Sequence, residues 1–462
     1  MTTHTRTTAD AAEHNGPVIV PGPRGIPLLG NLPEFGKDPL AFFVRMRDRG
    51  DMVSWRFGPK PSLFISDPRH IGELLTEVER TFDQPELGAS FRTLLGNGVV
   101  VARGADWRRK RSLVQPSVRP RQVRSYAATM ARCAVALADR WSDGARIDVK
   151  REMAALTRLI AVRTIFGVDT AADAAAIGRA MDTAQQEIGA EFSGLGALLP
   201  DRVPTPGRAR VKRATAVIDA EVARVVARHR DGGEDRPDLL SRLLAARDET
   251  GATLSDEEIR DETVTLYIGG HETTSSTLLW TWYLLSRNPR VRDALAAELD
   301  QVLGAGREPG FEDYARLPYA RAVVKETLRL YPTVWLLTGV AKEGARLGGR
   351  PVPPGTRVWS SQWATHRDAR WFRDPEEFRP ERWTGEGEEA AERIPEYAWF
   401  PFGGGPRVCL GARFAMVEAV LVLAVLARRF HLDLDPGEIR PVPGLTLQPD
   451  RDVPATVRAR GR

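Results

Sequence analysis

Two short stretches near the start of the chain alternate apolar with polar residues, Met52-Val-Ser-Trp-Arg-Phe57 and Ser62-Leu-Phe-Ile-Ser66, on either side of Gly58-Pro-Lys-Pro61. A period of two across a Gly/Pro break predicts a β-hairpin. Asp67 followed by Pro68 then predicts a capped helix start. Over residues 108–329 the apolar spacing becomes helical, interrupted by Pro/Gly-rich joints at 200–207 and 231–237. Within that span Ser255-Asp-Glu-Glu258 reads as a capping box, and the helix it opens runs past Thr274 to about Ser286, long enough to cross a core. Beyond Pro332 strand-like pieces at 357–359 and 445–447 alternate with turns, and a last helix follows Gly411. Its apolar run, 419–427, falls far short of the roughly 20 residues of a membrane span and is preceded by Glu418, so it predicts a buried helix. The fold class expected is mainly α with a small β-rich lobe.

The polar, Thr- and Ala-rich opening predicts a disordered leader over 1–20, without the apolar segment of a secretory signal. Order is expected from Pro21-Gly-Pro-Arg-Gly-Ile-Pro27, which cannot be helical, and continues as one domain, 21–462. A solvated acidic stretch is expected at 386–392.

Composition narrows the function classes. At 42% apolar and 27% charged residues the chain is a soluble globule, neither disordered nor a membrane bundle. The formal charge of +5 is spread along 462 residues, which gives no support to nucleic-acid binding. With only Cys133 and Cys409, a disulfide framework or multi-cysteine zinc site is excluded, and a reducing cytoplasm is the expected setting.

Chemistry concentrates in Phe402-Gly-Gly-Gly405-Pro-Arg407-Val-Cys409-Leu-Gly411. Glycines let successive backbone N–H groups turn toward one sulfur, and the positive end of the following helix favours a thiolate. Such a thiolate can serve as nucleophile or metal ligand. His271, His366 and His431 lie in no motif that would supply a base, so haem iron is the better partner. Cys133, on an apolar helix, reads as inert. The run F-x-x-G-x-R-x-C-x-G near the C-terminus resembles the haem-binding loop of the cytochrome P-450 monooxygenases.

Three further segments carry the resemblance in order. Glu326-Thr-Leu-Arg329 puts acid and base on one helix face; with Arg382 of Pro380-Glu-Arg382-Trp383 it resembles the family's structural triad. Gly269-Gly270-His271-Glu272-Thr273-Thr274 stands mid-helix, where two glycines cost roughly 1 kcal/mol each and imply close approach or a local bulge. The family has an acid-alcohol pair there, so the resemblance implies that Glu272 and Thr273 handle protons for oxygen activation; His271 reads as structural. Trp107 and Arg111 share a helix face and resemble the family's W-x-x-x-R, which holds a haem propionate; Arg407 would reach the other. In many relatives an arginine stands where this chain has Gly339.

The resemblance implies the cytochrome P-450 fold, haem b (iron protoporphyrin IX) held by Trp107, Arg111, Phe402, Arg407, Cys409 and Gly411 with Cys409 as the metal ligand, and electrons from NAD(P)H through a separate ferredoxin and ferredoxin reductase. Matching pocket segments places Val99, Val100, Gly269, Val334, Leu336 and Leu445 toward the substrate, expected to be an apolar small molecule such as a terpenoid or polyketide skeleton of bacterial specialised metabolism. Arg92 keeps a fatty-acid hydroxylase as the alternative, beside a non-catalytic haem-binding sensor; a peroxide-using relative would typically replace the Glu272-Thr273 pair. Arg108, Arg109 and Lys110 are expected to face outward and attract an acidic ferredoxin. A monomer without nucleic acid or membrane span is expected.

Overall fold

The computed structural model describes residues 18–86, 88–167, 171–193, 203–231, 238–304, 307–385 and 393–461; of residues 171–177, 190, 192 and 193 only the backbone is described. The leader up to residue 17, the start of the joint at 200–207, most of that at 231–237 and the acidic stretch lie outside these residues. The chain forms two compact units, each built from separated segments.

The first unit takes residues up to 85, with 336–368 and 395–407, and centres on a six-stranded sheet. The expected hairpin is there: Met52–Phe57 pairs antiparallel with Lys60–Ile65, Met52 opposite Ile65. Lys60–Ile65 runs parallel to Arg357–Ser360, which pairs antiparallel with Leu337–Ala341, and Phe82–Asp83 closes that edge. At the other edge Ile19–Pro21 pairs parallel with Met52–Ser54. This strand corrects the leader's boundary: backbone pairing to the hairpin orders Ile19 and Val20. Asp67 caps Pro68–Thr76 through the Arg69 N–H, as expected. Apolar side chains from this helix and the sheet, among them Ile65, Ile71, Leu74 and Phe82, form the unit's core.

The second unit takes 86–335, 369–394 and 408–462 and is mainly helical. Its axis is Asp256–Arg287, opened by the expected capping box: Ser255 Oγ accepts from the Glu258 N–H while Glu258 Oε2 accepts from the Ser255 N–H. Three acids in its first turn suit the positive helix end, and Asn288-Pro289 ends it because the residue before proline avoids helical geometry. Almost every side chain from Thr274 to Leu285 is buried, the mark of a core helix rather than a surface one. Ala412–Arg429 is buried continuously from Met416 to Ala427, as the apolar run implied. A three-stranded sheet joins Phe430–Leu434, Pro454–Ala459 and Arg146–Asp148. The strand expected at 445–447 instead begins at Leu447, with 444–446 forming the turn from Pro441–Pro443. No helix among the described residues is long and apolar enough to cross a membrane.

Candidate active site

The glycine-rich loop contributes to both units. In the first, Gly403 and Gly405 have positive φ, and a Cβ on Gly405 would stand 2.1 Å from the Leu75 carbonyl oxygen, so a side chain there is excluded. Phe402 is half-buried. Arg407 is held within this unit by Glu79 and Gln84: Nε donates to Glu79 Oε1 at 2.8 Å and Nη1 to Gln84 Oε1 at 3.0 Å. Gly339 lies in Leu337–Ala341, where a Cβ would come within 2.7 Å of the Leu74 side chain. Local packing thus leaves no room for an arginine at 339 without displacing Leu74.

In the second unit Cys409 stands just before Ala412–Arg429. Its residue is exposed, while the protein packed around the sulfur raises the thiol pKa. The neighbouring Gly411 and Ala412 N–H groups and the Arg111 charge pull the other way, and the Ala412 N–H donates to the Cys409 carbonyl at 3.4 Å. Trp107 and Arg111 come from Gly104–Val114; Trp107 packs with Val99 and Ala102 and against Leu410. Arg111 is half-buried, its pKa lowered by burial, and among the described residues its guanidinium makes no hydrogen bond or ion pair. A sheltered cation without a carboxylate among the described residues, near a sulfur at the start of a helix, suits a group that offers both an anionic arm and a thiolate-binding metal. Haem is such a group. Cys133 is buried, 3.4 Å from Arg163 Nη1, and burial raises its thiol pKa, as suits an inert cysteine.

The long helix continues unbroken through Gly269-Gly270, so the local bulge is not observed. A Cβ at either glycine would meet no heavy atom within 4 Å; protein packing does not demand these glycines, and open space lies beside them. Thr273 Oγ1 donates to the Gly269 carbonyl at 2.6 Å. Glu272 is held by side chains that sequence reasoning missed: Thr446 Oγ1 donates to Oε1 at 2.5 Å and Gln185 Nε2 to Oε2 at 2.9 Å, with Gln448 Nε2 2.8 Å from Thr446 Oγ1. Burial raises the Glu272 pKa and these donors partly offset it. Thr446 neighbours the expected pocket residue Leu445, but nothing in the sequence ties it to residue 272. His271 turns away, its Nε2 3.1 Å from the Ala154 carbonyl, and burial pushes its pKa down to about 4.

Of the remaining pocket candidates, Val99 is buried, Val100 is 47% exposed, and Val334 and Leu445 are half-buried in this unit; Leu336 belongs to the first unit. Arg92 is exposed on Ala89–Leu95.

Of the three cations expected to face outward, one does not. Lys110 is buried, its Nζ 2.7 Å from the Asn97 carbonyl and 3.0 Å from Asp106, because its long stem lets the ammonium reach these partners. Arg109 is partly exposed but its charge is paired with Asp248 at 2.9 Å and Glu258 at 2.7 Å. Arg108 is exposed.

The acid-base triad does come together. Glu326, fully buried, accepts from Arg329 Nε and Nη2 at 2.9 Å each, Arg382 Nε at 3.1 Å, Trp383 Nε1 at 2.9 Å and the Arg379 N–H at 3.0 Å. Arg329 also donates to the carbonyls of Pro375 and Glu377, tying its helix to the segment around Arg382.

Comparison with known proteins gives the family and the fold. A family model for Cytochrome P-450 matches residues 20–451. Cyclooctatin synthase of Streptomyces melanosporofaciens is 37% identical over 451 residues, covering 96% of each chain. Cyclooctat-9-en-7-ol 5-monooxygenase of the same organism is 37% identical over 92% of this chain and 90% of its own. Pentalenene oxygenase of Streptomyces avermitilis is 31% identical over 95% of this chain and 97% of its own. Among solved structures, retinoic acid-bound cyanobacterial CYP120A1 superposes with a TM-score of 0.85 at 27% identity, covering 96% of this chain and 100% of that one.

Proposed function

Since the chain belongs to the cytochrome P-450 family and is a haem monooxygenase that draws electrons from a redox partner, we propose that it oxygenates an apolar terpenoid with Cys409 as the iron ligand. The observation that carries the assignment of the ligand is Cys409 at the start of a helix, near an Arg111 that makes no ion pair among the described residues. The helix end and the Arg111 charge reduce, without cancelling, the cost that burial sets on the thiolate form, so a bound metal would complete the deprotonation. Arg111 and Trp107 would hold a propionate of the haem. When bound, haem supplies the iron at which dioxygen is activated for insertion of one oxygen atom into a C–H bond.

Thr273 and Glu272 handle protons beside that site. The Thr273 hydroxyl gives its own proton to the Gly269 carbonyl, which leaves its oxygen lone pairs free to accept. Glu272 has a pKa raised by burial, so it holds a proton closer to neutral pH than an exposed glutamate and can pass it on. The open space beside Gly269 and Gly270 accommodates oxygen or substrate without displacing protein.

The terpenoid assignment follows the Streptomyces relatives named for cyclooctat-9-en-7-ol and pentalenene. Uncharged Val99, Val334 and Leu445 agree with it, since an unpaired ion buried among such groups costs several kcal/mol. A ferredoxin and its reductase are the proposed electron donors, and a monomer in the reducing cytoplasm completes the reading. The test is incubation of the purified enzyme with cyclic terpene hydrocarbons and alcohols, NADPH, and a surrogate ferredoxin and reductase. A product heavier by one oxygen supports the proposal; turnover of charged compounds alone overturns the substrate class.

A further inference from the structure

The segment 96–102, between Ala89–Leu95 and Gly104–Val114, is fastened to the long helix by two adjacent acids. The Asn97 N–H donates to Asp261 Oδ2 at 2.7 Å and the Val99 N–H to Glu262 Oε2 at 3.1 Å. From the opposite side Lys110 Nζ grips the Asn97 carbonyl at 2.7 Å, and Asp106 accepts from both Lys110 Nζ and Asn97 Nδ2. The approach is so close that a Cβ on Gly96 would stand 2.1 Å from Asp261 Oδ1, and one on Gly98 2.2 Å from Thr265 Oγ1. Glycine is therefore required at both positions for the segment to lie where it does.

Holding a loop this way is expensive. Glu262 has no exposed surface, and among the described residues its Oε1 has no hydrogen-bond partner. Burial pushes its pKa up to about 7; Lys110 and the Val99 N–H lower it, while Asp261 and Asp106 raise it. What the fastening achieves is read from the helix. At about 100° per residue, positions 262, 265, 269 and 273 fall on one face. The loop thus lies along the same stripe as Gly269 and Thr273. At its far end Val99 and Ala102 pack on Trp107 and against Leu410, next to Cys409.

We infer that Asp261, Glu262 and Lys110 are positioning residues that fix Val99 as a wall of the substrate pocket, and so set specificity without touching substrate. The inference rests on the reading of Val99 as a pocket residue. Because the clamp is made of backbone N–H bonds, it has a direct readout independent of turnover: hydrogen exchange of the Asn97 and Val99 amides in the haem-loaded enzyme. Phenylimidazole, which reports pocket binding by a spectral shift at the iron, is the binding probe.

Losing a buried hydrogen bond to a charged acceptor in Glu262→Leu is expected to speed Val99 amide exchange and weaken phenylimidazole about tenfold each, with Glu262→Gln within about twofold of the parent because its carbonyl still accepts. The carbon monoxide spectrum stays that of the parent. Gly98→Ala leaves Glu262 intact and forces the loop off Thr265, so it is expected to move both readouts the same way; it also decides the matter if Glu262→Leu does not fold. Unchanged Val99 protection in both variants overturns the clamp and leaves the pocket reading standing. Lost protection with unchanged phenylimidazole affinity overturns the inference together with the placement of Val99 in the pocket.

Discussion

A carboxyl group sealed from water costs far more folding energy ionised than protonated, and Glu262 makes that difference measurable. Its proton is bound more tightly in the folded chain, pKa about 7, than by an ordinary glutamate at 4.5. Its contribution is therefore most favourable below about pH 4.5 and is lost as pH rises to about 7, above which a penalty of roughly 3 kcal/mol is fully present. Glu262→Gln carries no charge, so its stability relative to the parent is expected to climb between pH 4.5 and 7 and to level off above, as urea unfolding at several pH values would show. Glu326 is also buried, but Arg329 and Arg382 pair with it. Removing it in Glu326→Ala strands the buried Arg329 guanidinium and the half-buried Arg382 and is expected to cost about 3–5 kcal/mol in the same assay. A parental unfolding midpoint would show that the cluster is not structural. The pairing of Glu326 with Arg329 was legible because residues three apart share a helix face. Trp383 and the Arg379 N–H were not, since their approach depends on how the chain returns fifty-odd residues later.

At the scale of elements, the long helix was legible almost to its ends because capping residues and proline act locally. Its function depends on partners that local rules do not reach. Glu272 is oriented by Thr446 and Gln185, which come from a turn and another helix. Thr273→Ala and Glu272→Gln change proton handling and leave the sulfur and Arg111 untouched, so haem content should stay parental while product per NADPH consumed falls about tenfold or more. Parental coupling in both variants would remove the proton role. The helix Gly104–Val114 shows the reverse limitation. Its Trp107-Arg111 face followed from periodicity, whereas the burial of Lys110 depended on the Asn97 carbonyl and Asp106 lying within reach of its ammonium.

At the scale of the whole molecule, both compact units are assembled from separated stretches of chain. The order of motifs along the sequence identified the fold, but it could not assign side-chain partners: Arg407 is matched by Glu79 and Gln84. Surface charge changes too once ion pairs are known. With Arg109 and Lys110 engaged, Arg108 is the exposed cation of its trio, and Arg108→Glu alone is expected to slow ferredoxin-dependent reduction only about twofold to threefold at low salt, with dithionite reduction unaffected. A loss beyond tenfold would make this helix the centre of the docking surface after all. The account as a whole turns on the sulfur that meets the iron. Its most direct test is the spectrum of the reduced carbon monoxide complex in the parent, Cys409→Ser and Cys133→Ser. The expected result is the red-shifted Soret band of a thiolate-bound haem in the parent and in Cys133→Ser, and its loss in Cys409→Ser. Persistence of that band in Cys409→Ser, or its disappearance in Cys133→Ser, would contradict the assignment of the site.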